Sequence, residues 1–145
     1  MRIREGKISD IRQLHSWLNN TYELRGFDKG EAYSKSWLEE LINDGKGSIV
    51  LVAENGKQIT GFLIAHILSG RDIFLNDIFV SKKQRKKGIA SELLTNFHRI
   101  SENIHSNFAL GFVNVKNKKM QNFLKKFDYK RGHIFYYYYK KKNEK

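Results

Sequence analysis

Asn76 and Asp77 interrupt an otherwise apolar run, 73-IFLNDIFV-80, and the chain then reads Arg85-Lys86-Lys87-Gly88-Ile89-Ala90. A carboxylate inside a buried strand is costly unless it is bonded or put to use. The basic loop stands where the strand hands over to a helix with apolar residues at 89, 93, 97, 100 and 104. The first turn of a helix exposes unpaired backbone N–H groups and about half a positive charge, so it receives anions. Gly88 lets the backbone approach a ligand closely, small Ala90 leaves the way open, and three cations add to the field. The arrangement suits a pyrophosphate.

The surrounding elements follow from periodicity. Residues 1–5 read as an edge strand, and 9-SDIRQLHSWL-18 as an amphipathic helix with Ser9 as its N-cap. After a polar loop over about 19–31, 33-YSKSWLEELI-42 gives a second helix. Two apolar runs around Asn55-Gly56 make an antiparallel hairpin over 48–67. Residues 73–80 have the composition of a central strand covered on both faces. A strand near 108–113, a helix from about 117 and a last strand over about 129–139 complete the chain. The fold class is α/β (α+β): a mixed, mostly antiparallel central sheet flanked by helices, in the order β-α-α-β-β-β-α-β-α-β. Residues 1–145, with no proline and no evident linker, read as a single domain.

Composition excludes several chemistries. There is no cysteine, so neither a disulfide framework nor a thiolate nucleophile, and the five histidines show no metal-ligand spacing. No metal is expected. The longest strongly apolar run, 49-IVLVA-53, is far short of a membrane helix, and 1-MRIREGK-7 lacks a signal peptide's apolar region, so a cytoplasmic setting is expected. Charge divides the chain: residues 1–80 hold 10 Lys/Arg against 11 Asp/Glu, net −1, and residues 81–145 hold 17 against 4, net +13. The basic half points to a polyanion, either nucleic acid or a multiply phosphorylated small molecule, and charge alone does not choose.

The pattern V-x-x-x-x-R-x-x-G-x-A over Val80–Ala90, behind its apolar strand, resembles the acetyl-coenzyme A motif of the GNAT superfamily of N-acetyltransferases. Ile3-Arg4 with Asp10, Gly61 in an I-x-G-F position, and V-x-x-x-N-x-x-M-x-x-F over Val113–Phe123 extend the likeness along nearly the whole chain. The resemblance implies a GNAT fold over 1–145 and transfer of an acetyl group from acetyl-CoA to a primary amine by direct attack. It places the pyrophosphate on the amides of Lys86, Lys87, Gly88, Ile89 and Ala90, with Arg85 and neighbouring lysines adding charge. Ile78 and Val80 align the pantetheine along the strand edge, a backbone N–H near Ile78 or Phe79 polarises the thioester carbonyl, and Asn117 touches the cofactor.

An alkyl amine of pKa about 10.4 is neutral only about 0.04% of the time at pH 7, so transfer needs a proton acceptor. Asp77 is the candidate base, and Asn76 orients water or acceptor. Acidity in the first loop and second helix (Glu23, Asp28, Glu31, Glu39, Glu40) favours a cationic acceptor, with Tyr22, Phe27 and Tyr33 shaping its pocket. One departure stands out: Leu124 occupies the place of the tyrosine that serves as general acid in many members of that superfamily. Tyr129 and Tyr136 to Tyr139 are replacements by type only. The short segment after the last helix makes one strand or borrows a partner strand from a second subunit, a homodimer. Two alternatives stand beside the enzyme: a basic nucleic-acid-binding module carried by the tyrosine-lysine tail, and a catalytically inactive acyl-CoA-binding relative.

Overall fold

The computed structural model describes residues 1–24, 33–136, 138 and 140. It divides into two compact units, Met1–Phe112 and Val113–Lys145. The first holds β1 (Arg2–Glu5), α1 (Ile11–Asn20), α2 (Lys35–Asn43), β2 (Ser48–Asn55), β3 (Gln58–Ile67), β4 (Ile73–Val80), α3 (Ile89–Asn103) and β5 (Ala109–Leu110). The strands form one sheet in chain order, antiparallel except for the parallel β4–β5 pair.

Strand residues alternate between two buried layers. Val50, Val52, Phe62, Ile64 and Phe79 form one core cluster with Ile11, Leu14 and Leu18 of α1 and Leu38 of α2. The intervening Ile49, Leu51, Ala53, Leu63 and Ala65 are buried on the opposite face, as are Ile89, Leu93, Leu94 and Phe97 of α3. Such double coverage is why β2 and β3 read as unbroken apolar runs.

Local signals were displaced by a residue or two. Asn55 pairs with Gln58, so the hairpin turn is Gly56-Lys57, with Gly56 at φ +61°, the two-residue geometry that places glycine first. Ser9, expected as a cap, lies in the 3-10 turn Ile8–Asp10; Asp10 precedes α1 without a side-chain bond to it, and its Oδ2 instead accepts the Lys7 N–H at 2.7 Å. The second helix starts later than read, because Ser34 Oγ accepts the Trp37 N–H at 3.1 Å and caps it.

Gly61 is a position of close approach. A Cβ there would lie 2.6 Å from the Phe79 carbonyl oxygen on the neighbouring strand. Gly61→Ala is expected to lower stability by roughly 1–3 kcal/mol, read as an earlier thermal unfolding midpoint.

The second unit contains α4 (Lys118–Lys125). The last strand expected over about 129–139 is not formed among the described residues, which carry no strand from 129 onward, and Ile134, Phe135, Tyr136 and Tyr138 are exposed. A strand needs a partner for its backbone groups, and this unit offers no second strand among its described residues.

Candidate active site

β4 carries the site, and an irregularity in its pairing decides which way its side chains face. Ile64 of β3 pairs with Asp77 while the next residue, Ala65, pairs with Leu75, so Asn76 is the extra residue of a β-bulge. Paired side chains share a face. Ile73 and Leu75 therefore belong to the α3 layer, whereas Asp77 and Phe79 face α1 and α2 with Ile64 and Phe62. Without the bulge, the two-residue period of a strand would send Leu75 and Asp77 to the same layer.

Asp77 is 8% exposed. Burial pushes its carboxyl up to about 6, against a hydrogen bond from Asn76 Nδ2 to Oδ2 that favours the charged form. Asn76 Nδ2 also donates to the Tyr33 hydroxyl at 3.5 Å. Tyr33 stacks on Trp37 with centroids 4.6 Å apart, and Trp37 lies 6.0 Å from the His66 ring. Burial, and then the charge of Asp77, raise the Tyr33 phenol above its ordinary value; burial lowers His66. Burial thus favours the neutral form of both rings, with Tyr33 near Asp77 and His66 farther along the same face.

Two features border this group. β5 pairs only with Ile73 and Phe74, so from Asn76 to Val80 that edge of β4 has no strand partner among the described residues. A strand edge of this kind presents a row of backbone donors and acceptors. The edge runs into the loop before α3, where Lys86 (φ +62°) and Gly88 (φ +78°) are both left-handed. Gly88 is the N-cap and supplies no side-chain bond, and a Cβ there would meet nothing within 4 Å. The first-turn amides of α3 lack an intrahelical partner, and the space beside Gly88 is open.

A family model described as the acetyltransferase (GNAT) family matches residues 11–129. The chain belongs to the GNAT acetyltransferases. It is similar in fold to AAC(6')-Iy in complex with the bisubstrate analogue CoA-S-monomethyl-acetylneamine, at 18% identity and TM-score 0.78 over 97% of each chain. It is similar also to the aminoglycoside 6'-N-acetyltransferase AAC(6')-IG from Acinetobacter haemolyticus, at 18% and 0.79 over 99% of this chain and all of that one. A transcriptional regulator from Bacillus halodurans C-125 gives 17% and 0.79 over 95% and 98%. At these identities the likeness is one of fold. No curated protein matches at the level of sequence.

In this GNAT enzyme the other expected site residues fall as follows. Ile78 and Val80 are half-buried on the far face of β4 from Asp77, while Phe79 packs 5.2 Å from Trp17. Arg85 turns back on the strand: its Nε donates to the Val80 carbonyl at 3.0 Å and its guanidinium lies 5.8 Å from the Phe79 ring centroid. It therefore fastens the strand end as well as adding charge. Lys87 Nζ reaches Gln84 Oε1 at 2.9 Å, and Lys82, Lys83 and Lys86 are exposed. Tyr22, 85% exposed, and Glu23 lie in the turn after α1; Phe27, Asp28 and Glu31 lie outside the described residues. From the α1–α2 connection the structure brings Tyr33 to the Asn76–Asp77 pair.

In the second unit, Asn117 Oδ1 accepts the Met120 N–H at 3.1 Å and caps α4, a role its sequence position alone does not announce. Leu124 is half-buried, and burial pushes the Tyr129 phenol up to about 12. Tyr136 and Tyr138 are exposed; Tyr137 and Tyr139 lie outside the described residues. Among the described residues no group of three or more His, Cys, Asp or Glu could hold a metal, and no helix is long and apolar enough to cross a membrane.

Proposed function

We propose that the protein is an N-acetyltransferase that moves the acetyl group of acetyl-CoA to a primary amine, with Asp77 as proton acceptor. The carrying observation is the unpaired edge of β4 from Asn76 to Val80, which leads straight into the uncapped N-terminus of α3. An edge of that length fits the amide-bearing pantetheine arm, with Ile78, Phe79 and Val80 beside it. The open cradle at Gly88, with the amides of Lys86 to Ala90, fits the pyrophosphate. The basic half of the chain supplies the field for its phosphates. The family model runs across both units, which supports reading 1–145 as one N-acetyltransferase domain.

Bound acetyl-CoA supplies an activated acyl carbon and a thiolate leaving group. The amine nitrogen attacks the carbonyl carbon, the new C–N bond replaces the C–S bond, and the amine proton passes to Asp77. The departing thiolate, of pKa about 8.5, needs little help from an acid, which accommodates Leu124. With its carboxyl near 6, Asp77 is mostly ionised at pH 7.5 and remains basic enough to take a proton. The acceptor read here is a small cationic amine or a lysine-bearing peptide, since the sheet face around Asp77 is aromatic with one carboxylate. The aminoglycoside acetyltransferases of similar fold are consistent with that class.

Thermal unfolding with and without acetyl-CoA tests the cofactor half. Ligand at 100 times its dissociation constant stabilises by about 2.7 kcal/mol, roughly 5–10 °C for a domain this size. The shift is expected in wild type and lost in Gly88→Glu, whose side chain brings a negative charge into the cradle. An equal shift in the folded variant moves the cofactor elsewhere; no shift in either removes acetyl-CoA from the reading.

A further inference from the structure

We propose that Tyr33 is a positioning residue of the acyl-transfer site, its hydroxyl holding the Asn76 amide against Asp77. The catalytic meaning of this contact rests on the reading of Asp77 as the base; the contact itself does not.

Tyr33 is fixed with more care than a pocket wall requires. Asn19 of α1 grips its backbone twice: Asn19 Nδ2 donates to the Tyr33 carbonyl at 2.9 Å, and the Tyr33 N–H donates to Asn19 Oδ1 at 3.3 Å. The same Nδ2 is tied to the His15 carbonyl at 2.9 Å, which keeps the clamp in register with α1. On the other side Ser34 caps α2, and Trp37 lies against the ring. With backbone and ring both held, the hydroxyl is delivered to Asn76.

What it does there follows from the valence of a primary amide. Asn76 Nδ2 has two N–H bonds, and the structure gives it two acceptors, the Asp77 carboxylate and the Tyr33 oxygen. Rotating the amide by half a turn would set its carbonyl oxygen against the carboxylate and lose that bond, while the Tyr33 contact would persist with the hydroxyl donating. The carboxylate thus selects the orientation, and Tyr33, accepting the second N–H, holds the amide in place against Asp77. Because its oxygen accepts from Asn76, the Tyr33 proton is directed away from that contact, leaving the hydroxyl as a donor to a second group. From the helical side the titratable group that senses Asp77 is Tyr33, whose phenol is raised by burial and, next, by the carboxylate's charge. Across β3, apolar Ile64 faces it, with His66 farther along the same face against Trp37.

The test is a pH titration of Asp77 by carboxyl-carbon NMR in the full chain, assigned with Asp77→Asn, for wild type, Tyr33→Phe and Asn19→Ala. Both variants keep the ring, and backbone spectra show whether they fold. Loss of this hold is expected to raise the Asp77 midpoint by about half to one pH unit, in Asn19→Ala as in Tyr33→Phe. An unmoved midpoint in Tyr33→Phe overturns the proposal. So does movement in Tyr33→Phe with none in a folded Asn19→Ala, since the clamp would then be irrelevant. The pH profile of kcat/KM separates this from the function above: a moved midpoint with an unmoved acid limb keeps the positioning role and removes Asp77 as base.

Discussion

Asp77→Asn is expected to lower kcat by about 10²- to 10⁴-fold while leaving acetyl-CoA affinity nearly unchanged, because the amide keeps the shape and loses only the ability to take a proton. Steady-state kinetics with a reactive amine, beside a cofactor titration, separates the two quantities. Unchanged turnover would remove Asp77 from the mechanism. The same substitution should stabilise the fold. The carboxyl is raised by burial from an ordinary 3.8 to about 6, so folding favours its protonated form. That contribution is complete below about pH 4 and is lost as pH rises through 6. A neutral side chain escapes the loss, and Asp77→Asn is expected to gain up to about 3 kcal/mol above pH 7 and nothing below pH 4. An enzyme that becomes inactive and sturdier together is the signature of a group kept for chemistry.

The second large effect lies where the sheet meets α1. Arg4 on β1 is bonded to Asp10 through Nη1 at 2.7 Å and Nη2 at 3.0 Å, and its Nη2 also reaches Glu54 Oε1 at 3.0 Å. The Asp10 side chain is 5% exposed and the Arg4 side chain 11%. Burial alone would raise the Asp10 carboxyl; the bonds from Arg4 and from the Lys7 N–H outweigh it and hold the pKa below the usual range. Asp10→Ala leaves the buried guanidinium with Glu54 as its remaining carboxylate partner and takes the acceptor from the Lys7 N–H, with an expected loss of about 2–4 kcal/mol, measured by denaturant unfolding. A loss under about 1 kcal/mol would show that Glu54 suffices to hold Arg4. The pH sign is opposite to that of Asp77. The depressed carboxyl contributes stability above its unfolded pKa, and that contribution fades as acid protonates it in the folded state.

Local signals carried much of this fold into the sequence. Residues 73–80 form β4 end to end because apolar composition, a following basic loop and an amphipathic helix agree. The hairpin was marked by Asn55-Gly56, although the turn moved one residue on. Asn76 and Asp77 were visible as polar intruders. What they face was not, since a strict alternation gives Leu75 and Asp77 one layer and only the pairing of Ile64 and Ala65 reveals the bulge. Tyr33 was legible only as a pocket aromatic; its bond to Asn76 joins residues 43 apart in the chain. Arg85 was read as a phosphate ligand from its place in a motif, while its bond to the Val80 carbonyl is a matter of geometry. The last strand was read from alternation in an aromatic run. Such a run states a propensity, and a strand also needs a neighbour.

The bulge at Asn76 divides β4 between two kinds of selection. Upstream, Ile73 and Leu75 answer to packing under α3, and changes there are judged by whether the protein folds. Downstream, Asp77 faces the opposite layer and, as the proposed base, answers to chemistry. The two halves can drift separately through substitution, and even without Asn76 the pairings of Leu75 with Ala65 and of Asp77 with Ile64 would keep each side chain on its present layer; what the extra residue adds is a second polar side chain where the strand changes phase.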